Sequence, residues 1–197
     1  MPEPTLTDRL LLTPIDPADE VVLGRLFAIQ ADPATWTHLP EGVETDLSQT
    51  RSLAEDHARS WREQGLGWWA VGLREATAGF PEGAIVGLGG AGVRRPELPA
   101  WNLGYRLTPA VWGRGLAGEL AAAALRAARL ARPELPVTAR ALARNPASWH
   151  VLERVGLSLA WEGPAPASAP LTRGLTLRVY ADRPLPDELL GRIAALG

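Results

Sequence analysis

The spacing of apolar and polar positions changes several times along the chain, and each change predicts an element. "DRLLLTPI" (8–15) is a short apolar run ended by proline and predicts a first strand. From 19 to 29, Val22, Leu23, Leu26 and Phe27 recur at helical spacing. "ADPATWTHLPEG" (31–42) is rich in turn formers and predicts a loop. Residues 46–64 predict a second helix, with Asp46 or Ser48 as cap, Leu47, Leu53, Ala54 and Trp61 on a broad stripe, and Gly65 as the stop. "GWWAVGLRE" (67–75) and "AIVGLGGAGV" (84–93) predict two strands joined by a Gly/Pro turn, and "AWNLGYRLT" (100–108) a third. A helix from Gly115 to about Ala131 precedes a strand at 135–142. Residues 145–155 then carry Asn145 as N-cap, Pro146 at the first helical position and Gly156 past the end. "LSLAWEG" and "LTLRVYAD" predict two last strands around the connection "GPAPASAP" (163–170), and a tail helix is expected at 187–196. The order defines an α/β fold with helices on both faces of one sheet. No repeat or linker divides the chain, so residues 1–197 are expected to form a single domain.

The stretch "PAVWGRGLAGELAAAALRAARL" (109–130) joins a glycine-rich turn directly to a strong helix. The first turn of a helix has N–H groups without intrahelical partners, and the macrodipole makes that end partly positive. Gly113 and Gly115 present no Cβ to an approaching anion, Ala117 and Gly118 keep the next turn small, and Arg114 adds charge. No Ser or Asp cap stands immediately before the helix. The stretch therefore predicts a phosphate site, against the plainer reading of a tight strand-to-helix turn. Leu116, Leu120, Ala124 and Ala131, with Ala127 or Ala128 between, form the stripe expected to be buried.

Composition narrows the chemistry. Apolar and charged fractions of 46% and 21% are globular values, and a net charge of −2 argues against a nucleic-acid partner. With no cysteine, disulfides and thiolate chemistry are excluded. All 20 basic residues are arginine, which excludes Schiff-base lysines and a complete phosphate loop ending in Lys-Ser/Thr. The first residues lack the pattern of a signal peptide, and no window is long and apolar enough for a membrane span, so a cytoplasmic protein without membrane partners is expected.

Several patterns are decoys. "GLGGAG" (87–92) matches a dinucleotide fingerprint, but Pro96 and Pro99 forbid the helix that must follow. A strand with small residues where something packs close is the better reading. The three histidines, His38, His57 and His150, lack ligand spacing, so no metal site is expected, and His57 is expected to be solvated on a surface helix. The eight tryptophans fit core packing better than base stacking.

The strand "LGYRLTP", the turn "VWGRGLA" with its helix, and "RNPASWHVLERVGL" together resemble the GNAT acyl-CoA-dependent N-acetyltransferases, most closely the RimJ/RimL type that acetylates N-terminal amines of ribosomal proteins. The pairing of W-G-x-G-x-A with N-x-x-S-x-x-x-L-E-x-x-G-L carries the resemblance, within a cofactor-binding core at about 100–163. It implies the GNAT fold, with a central, mostly antiparallel sheet, and acetyl-CoA as acyl donor. It further implies that the backbone of Tyr105, Arg106, Leu107 and Thr108 pairs with the pantetheine arm, that Trp112, Gly113, Arg114, Gly115, Leu116 and Ala117 hold the pyrophosphate, and that Asn145 contacts the arm. The partner would be an amine: a peptide, a protein N-terminus or a small molecule, acted on by a monomer or homodimer.

Acetyl transfer to an amine needs a deprotonated amine, a donor for the carbonyl oxygen and a proton for the leaving thiolate. Ser148 shares the inward stripe of its helix with Val151, Leu152 and Val155. The resemblance implies that a Ser here protonates the thiolate; a buried hydroxyl bonded to a carbonyl is the competing reading. The family's frequent tyrosine acid is Leu152 in this chain. The general base is undeclared: Asn102 occupies one family position, and Glu162 stands at the entrance of a loop without carboxylates, as base or as a solvated strand end. An α-amine tolerates this better than a lysine does, because its pKa near 8 leaves roughly a tenth neutral at pH 7. Trp36, His38 and Glu41 are the candidate walls of the acceptor pocket, with a plain surface-loop role as the alternative. A small-molecule acetyltransferase and an acyl-CoA sensor without catalysis are the competing functions.

Overall fold

The computed structural model describes residues 2–95 and 97–196. Eight strands form one sheet in the order β1-β2-β3-β4-β5-β6-β8-β7. They are β1 (Thr5–Leu6), β2 (Leu10–Pro14), β3 (Trp68–Leu73), β4 (Ile85–Val93), β5 (Trp101–Leu107), β6 (Val137–Leu142), β7 (Ser158–Pro164) and β8 (Thr176–Ala181). Every pairing is antiparallel except β5 with β6. The expected strand at 8–15 is β2, and the pairing Thr5↔Leu12 adds the short β1 that periodicity did not reveal. The "GLGGAG" stretch runs inside β4 and is buried, with residues 87–90 paired on both sides and Ala91 and Gly92 paired with β5 alone.

Alternation along the strands sorts the helices. Val71, Leu103, Leu107, Ala139 and Tyr180 share a core with α3 (Leu116–Ala131) and α4 (Pro146–Arg154). Ala70 and Leu88, on the opposite face, pack against α1 (Glu20–Gln30) and α2 (Leu47–Gln64). Val179 packs against α5 (Asp187–Ala194), which therefore lies on the α1/α2 face. Local signals set the helix ends. Asp19 caps α1, Asp46 and Gln49 form a capping box at α2, and Gly65 ends α2 in the left-handed conformation. The buried stripe of α3 runs through Leu116, Leu120, Ala124 and Ala128, whereas Ala131 is exposed where the helix leaves the sheet. Each buried leucine of this stripe contributes about 1.5–3 kcal/mol. Among the described residues, no helix is long and apolar enough to cross a membrane.

The break in the sheet positions the site. β5 pairs with β6 only at Trp101↔Val137 and Asn102↔Thr138, whereas it pairs with β4 along its whole length. Beyond Asn102 the parallel strands diverge, and the edge of β5 facing β6 keeps backbone groups that no strand takes up.

Candidate active site

One cavity of about 1430 Å³ occupies the divergence and is lined from both faces of the sheet. On the α3/α4 face its mouth is the start of α3. After a 3-10 turn at Pro109–Val111, Gly113 and Gly115 take φ of 73° and 78°, left-handed values that favour glycine. Gly115 is the N-cap of α3 and supplies no side-chain hydrogen bond. The first-turn N–H groups of α3 have no intrahelical partners and open on the cavity, which Leu116, Ala117 and Gly118 line. Trp112 is half exposed and fixed by its indole N–H to the Leu107 carbonyl at 2.8 Å. Arg114 lies outside the lining; its carbonyl accepts from Arg9 Nη1 at 2.8 Å. Arg9 in turn donates through Nε to Glu119 at 2.7 Å, which ties the β1–β2 turn to this helix end. Sequence reasoning missed Arg9, because nothing local links it to a helix more than a hundred residues away.

At the waist, β5 and α4 bring Tyr105 and Ser148 together. The Tyr105 hydroxyl donates to the Ser148 carbonyl at 3.0 Å and stands 3.4 Å from Ser148 Oγ. Burial pushes the Tyr105 phenol up to about 12, against the hydrogen bond from Ser148, so it stays protonated at neutral pH. Ser148 Oγ is not bonded to a backbone carbonyl among the described residues. A tyrosine hydroxyl thus reaches the waist from β5, although α4 carries Leu152 where a tyrosine was sought; its alternation with Leu103 and Leu107 was the available signal. Asn145 Oδ1 accepts the Ser148 N–H at 3.3 Å and caps α4, and Asn145 lines the cavity. Tyr105, Arg106 and Leu107 line the cavity, but Thr108 does not, and its N–H is taken by the Val86 carbonyl at 2.8 Å.

On the α1/α2 face the cavity becomes a polar groove lined by Asn102, His57, Trp68, Arg106 and Arg140, among others. His57 is not solvated as expected. Its ring stacks on Trp68 at 4.6 Å, and burial lowers its pKa to about 4, with Asp56 opposing and Arg94 adding to the shift. Helical spacing explains the difference: His57 lies three residues after Ala54 and four before Trp61, on the inward stripe. Gly104 permits the stack, since a Cβ there would lie 2.6 Å from Trp68 Cζ2.

Of the residues expected to wall the acceptor pocket, His38 lines the cavity, but Trp36 and Glu41 do not. Trp36 instead lies beneath Arg106, whose guanidinium carbon stands 3.4 Å from the ring centroid, and its indole N–H is bonded to the Gln30 carbonyl. Glu41 is exposed on its 3-10 turn. Arg106 also donates to Thr35, so its side chain crosses to the groove, and burial pushes its pKa down to about 10. Glu44, one of the three acidic residues of the candidate acceptor loops with Glu41 and Asp46, lines the cavity, is buried and accepts from Gln30 at 2.9 Å and from Thr50. Glu162 lies exposed on the edge strand β7, ion-paired with Arg178 and outside the lining. That removes it from the reacting centre.

A sheet opened between parallel strands suits transfer between two substrates held on opposite faces, with a phosphate-bearing one on the bare helix end. That defines a group-transfer enzyme. Residues 9–158 match the family described as Acetyltransferase (GNAT) domain. Among solved structures, an acetyltransferase from Agrobacterium tumefaciens str. C58 is 27% identical, with a TM-score of 0.68 over 92% of this chain and 94% of that one. RimL, a ribosomal L7/L12 α-N-protein acetyltransferase in complex with coenzyme A, is 18% identical, with a TM-score of 0.64 over 90% of this chain and 95% of that one. The microcin C7 self-immunity acetyltransferase MccE, in complex with acetyl-CoA and AMP, is 12% identical, with a TM-score of 0.64 over 89% of this chain and 92% of that one. The chain belongs to the GNAT acetyltransferase family, has its mostly antiparallel mixed α/β fold, and is an N-acetyltransferase.

Proposed function

We propose that the protein moves an acetyl group from acetyl-CoA to a primary amine, an α-amine at a peptide or protein N-terminus, as in the RimJ/RimL-type branch. One observation carries the reading: a single cavity joins the uncapped start of α3 to the polar groove, with Tyr105 and Ser148 at the junction. The helix N-terminus and its left-handed glycines suit the pyrophosphate of the donor, and the unpaired edge of β5 suits its amide-bearing arm. Acetyl-CoA is the acyl donor.

The amine attacks the thioester carbonyl carbon as a new C–N bond forms, and the C–S bond then breaks. Ser148 Oγ gives its proton to the departing sulfur and regains one, through water, from the nitrogen. Tyr105, held protonated, fixes Ser148 by its hydrogen bond to the Ser148 carbonyl. The buried carboxylate of the wall, Glu44, is already engaged by Gln30 and Thr50, and His57 is neutral with a low proton affinity. Neither is built to strip a lysine ammonium, whose pKa is near 10.4, whereas roughly a tenth of an α-amine is neutral at pH 7. Thiol release with paired peptides, one with only a free N-terminus and one with only a free lysine, tests this. Turnover of the first is expected, and turnover confined to the second refutes the α-amine assignment.

A further inference from the structure

The groove on the α1/α2 face holds more positive charge than its walls balance. Arg140 lies on β6 two residues past Thr138, the last residue paired with β5. It stands opposite Val179 and so on the face that α5 covers. Nη2 donates to the Leu196 carbonyl, whereas Nε is buried with no hydrogen-bond partner among the described residues. A buried N–H left unpaired costs about 1–3 kcal/mol, more on a charged group.

A second guanidinium faces the same space. Arg94 follows the end of β4 and lines the cavity with Arg140. It is exposed, and desolvation by neighbouring groups, then the charge of Arg95, lowers its pKa. Burial and then Arg94 push Arg140 down to about 10, so the two cations act on each other. Among the described residues, no carboxylate forms an ion pair with either. Asp56 exerts an opposing charge on Arg94 but is itself paired with Arg59. Two like charges with no ion-paired carboxylate among the described residues repel, and an oxyanion between them reverses the sign of that interaction. Nη2 is the nitrogen bonded to Leu196 and Nε is closed to solvent, so Nη1, which has no hydrogen bond among the described residues, is the part of Arg140 left to meet an oxyanion in the cavity it lines. Nor do these arginines face the donor, whose phosphate-receptive helix end opens on the other side of the sheet.

We infer that the acceptor amine carries an oxyanion, a carboxylate or a phosphate, held by Arg140 and Arg94 while its nitrogen reaches Ser148. The inference rests on the acetyl-transfer reading and adds the acceptor's class to it. Matched acceptors test it in the thiol-release assay: Ala-Gly against its C-terminal amide, Ala-Asp-amide against Ala-Asn-amide, and O-phosphoethanolamine against ethanolamine. In at least one pair the anionic member is expected to exceed the neutral one by about 10- to 100-fold in kcat/KM, mainly through KM. The responding pair tells carboxylate from phosphate. Arg140→Met is expected to bring that ratio close to one and Arg94→Met to reduce it, with calorimetric acetyl-CoA binding reporting that each variant is folded. Equal kcat/KM within every pair, or a ratio unchanged in both variants, overturns the inference and leaves acetyl transfer standing. Absence of thiol release with every amine overturns acetyl transfer instead. In that case direct binding of the N-acetylated anionic members decides: binding lost in Arg140→Met sustains the oxyanion site, and no binding to the wild type rejects it.

Discussion

His57 gives the fold an acid sensitivity that can be worked out in advance. In the folded chain its pKa is lowered to about 4 by burial, opposed by Asp56 and assisted by Arg94. In the unfolded chain it titrates at the ordinary value near 6.5. Between those values the unfolded state binds the additional proton, so stability falls as the pH drops from about 6.5 toward 4. The full difference corresponds to about 3 kcal/mol, of which about 2 kcal/mol is lost between pH 7 and pH 5. Glu119 and Asp182, whose pKa values lie below the ordinary carboxylate range, titrate at lower pH, and His38, whose pKa burial and then Arg106 and Arg144 also lower, adds a loss of the same sign that wild type and a His57 variant share. Urea unfolding followed by tryptophan fluorescence at pH 7, 6 and 5 measures the effect in the wild type and in His57→Gln. The substitution disturbs the stack on Trp68, so the comparison is between pH slopes and not between absolute stabilities. The wild type is expected to lose about 2 kcal/mol more than the variant across the range. Parallel losses would refute a neutral, buried imidazole at the groove.

Other positions give separate readouts. Ser148→Ala is expected to lower kcat by about 10- to 100-fold with acetyl-CoA affinity nearly unchanged; undiminished turnover would take Ser148 out of the chemistry. Tyr105→Phe removes the hydroxyl that holds Ser148 and is expected to lower kcat less than Ser148→Ala does, with no additional loss in the double variant if the two act as a unit. Gly115→Ala places a Cβ at a φ of 78° and over the helix end, so a stability loss of about 1 kcal/mol and weaker acetyl-CoA binding by calorimetry are expected. Retained affinity would argue against this turn as the phosphate cradle. Burial alone would raise the Glu119 pKa, but hydrogen bonds from Thr7 and Arg9 hold it low. Its contribution is therefore present above the ordinary Glu pKa and lost as pH falls, and Glu119→Gln should cost about 1–2 kcal/mol at pH 7 and less near pH 4.

The two halves of the site differ in how they are written in the chain, which explains what the sequence could disclose. The half proposed for the donor is made largely of backbone from consecutive residues. Gly113, Gly115 and the uncapped start of α3 lie within one turn, so composition and spacing alone indicate an anion site. The helices were equally legible, because Asp19, Asp46, Gly65 and Asn145 set their ends through bonds that reach only a few residues. The half proposed for the acceptor is assembled from single side chains on separate elements: His57 from α2, Asn102 and Arg106 from β5, Arg140 from β6, and Arg94 after β4. Alternation in "VTARAL" shows that Arg140 opposes Ala139 and Ala141, but not whether it meets solvent or a groove. That depends on where β5 and β6 part and on α5 folding back against Val179, both long-range outcomes. Trp36 and Glu41 show the same limit from the other side: their loop lines the groove through Thr35, Thr37, His38 and Leu39, yet the ring of Trp36 turns beneath Arg106 and Glu41 stays exposed. The halves touch at Tyr105 and Ser148, one residue from each side of the parting strands. If the proposed assignment holds, a substitution among the acceptor-side arginines changes which amine is taken without disturbing the turn proposed for the donor. By the same geometry, a change at Gly115 should weaken every acceptor's reaction alike.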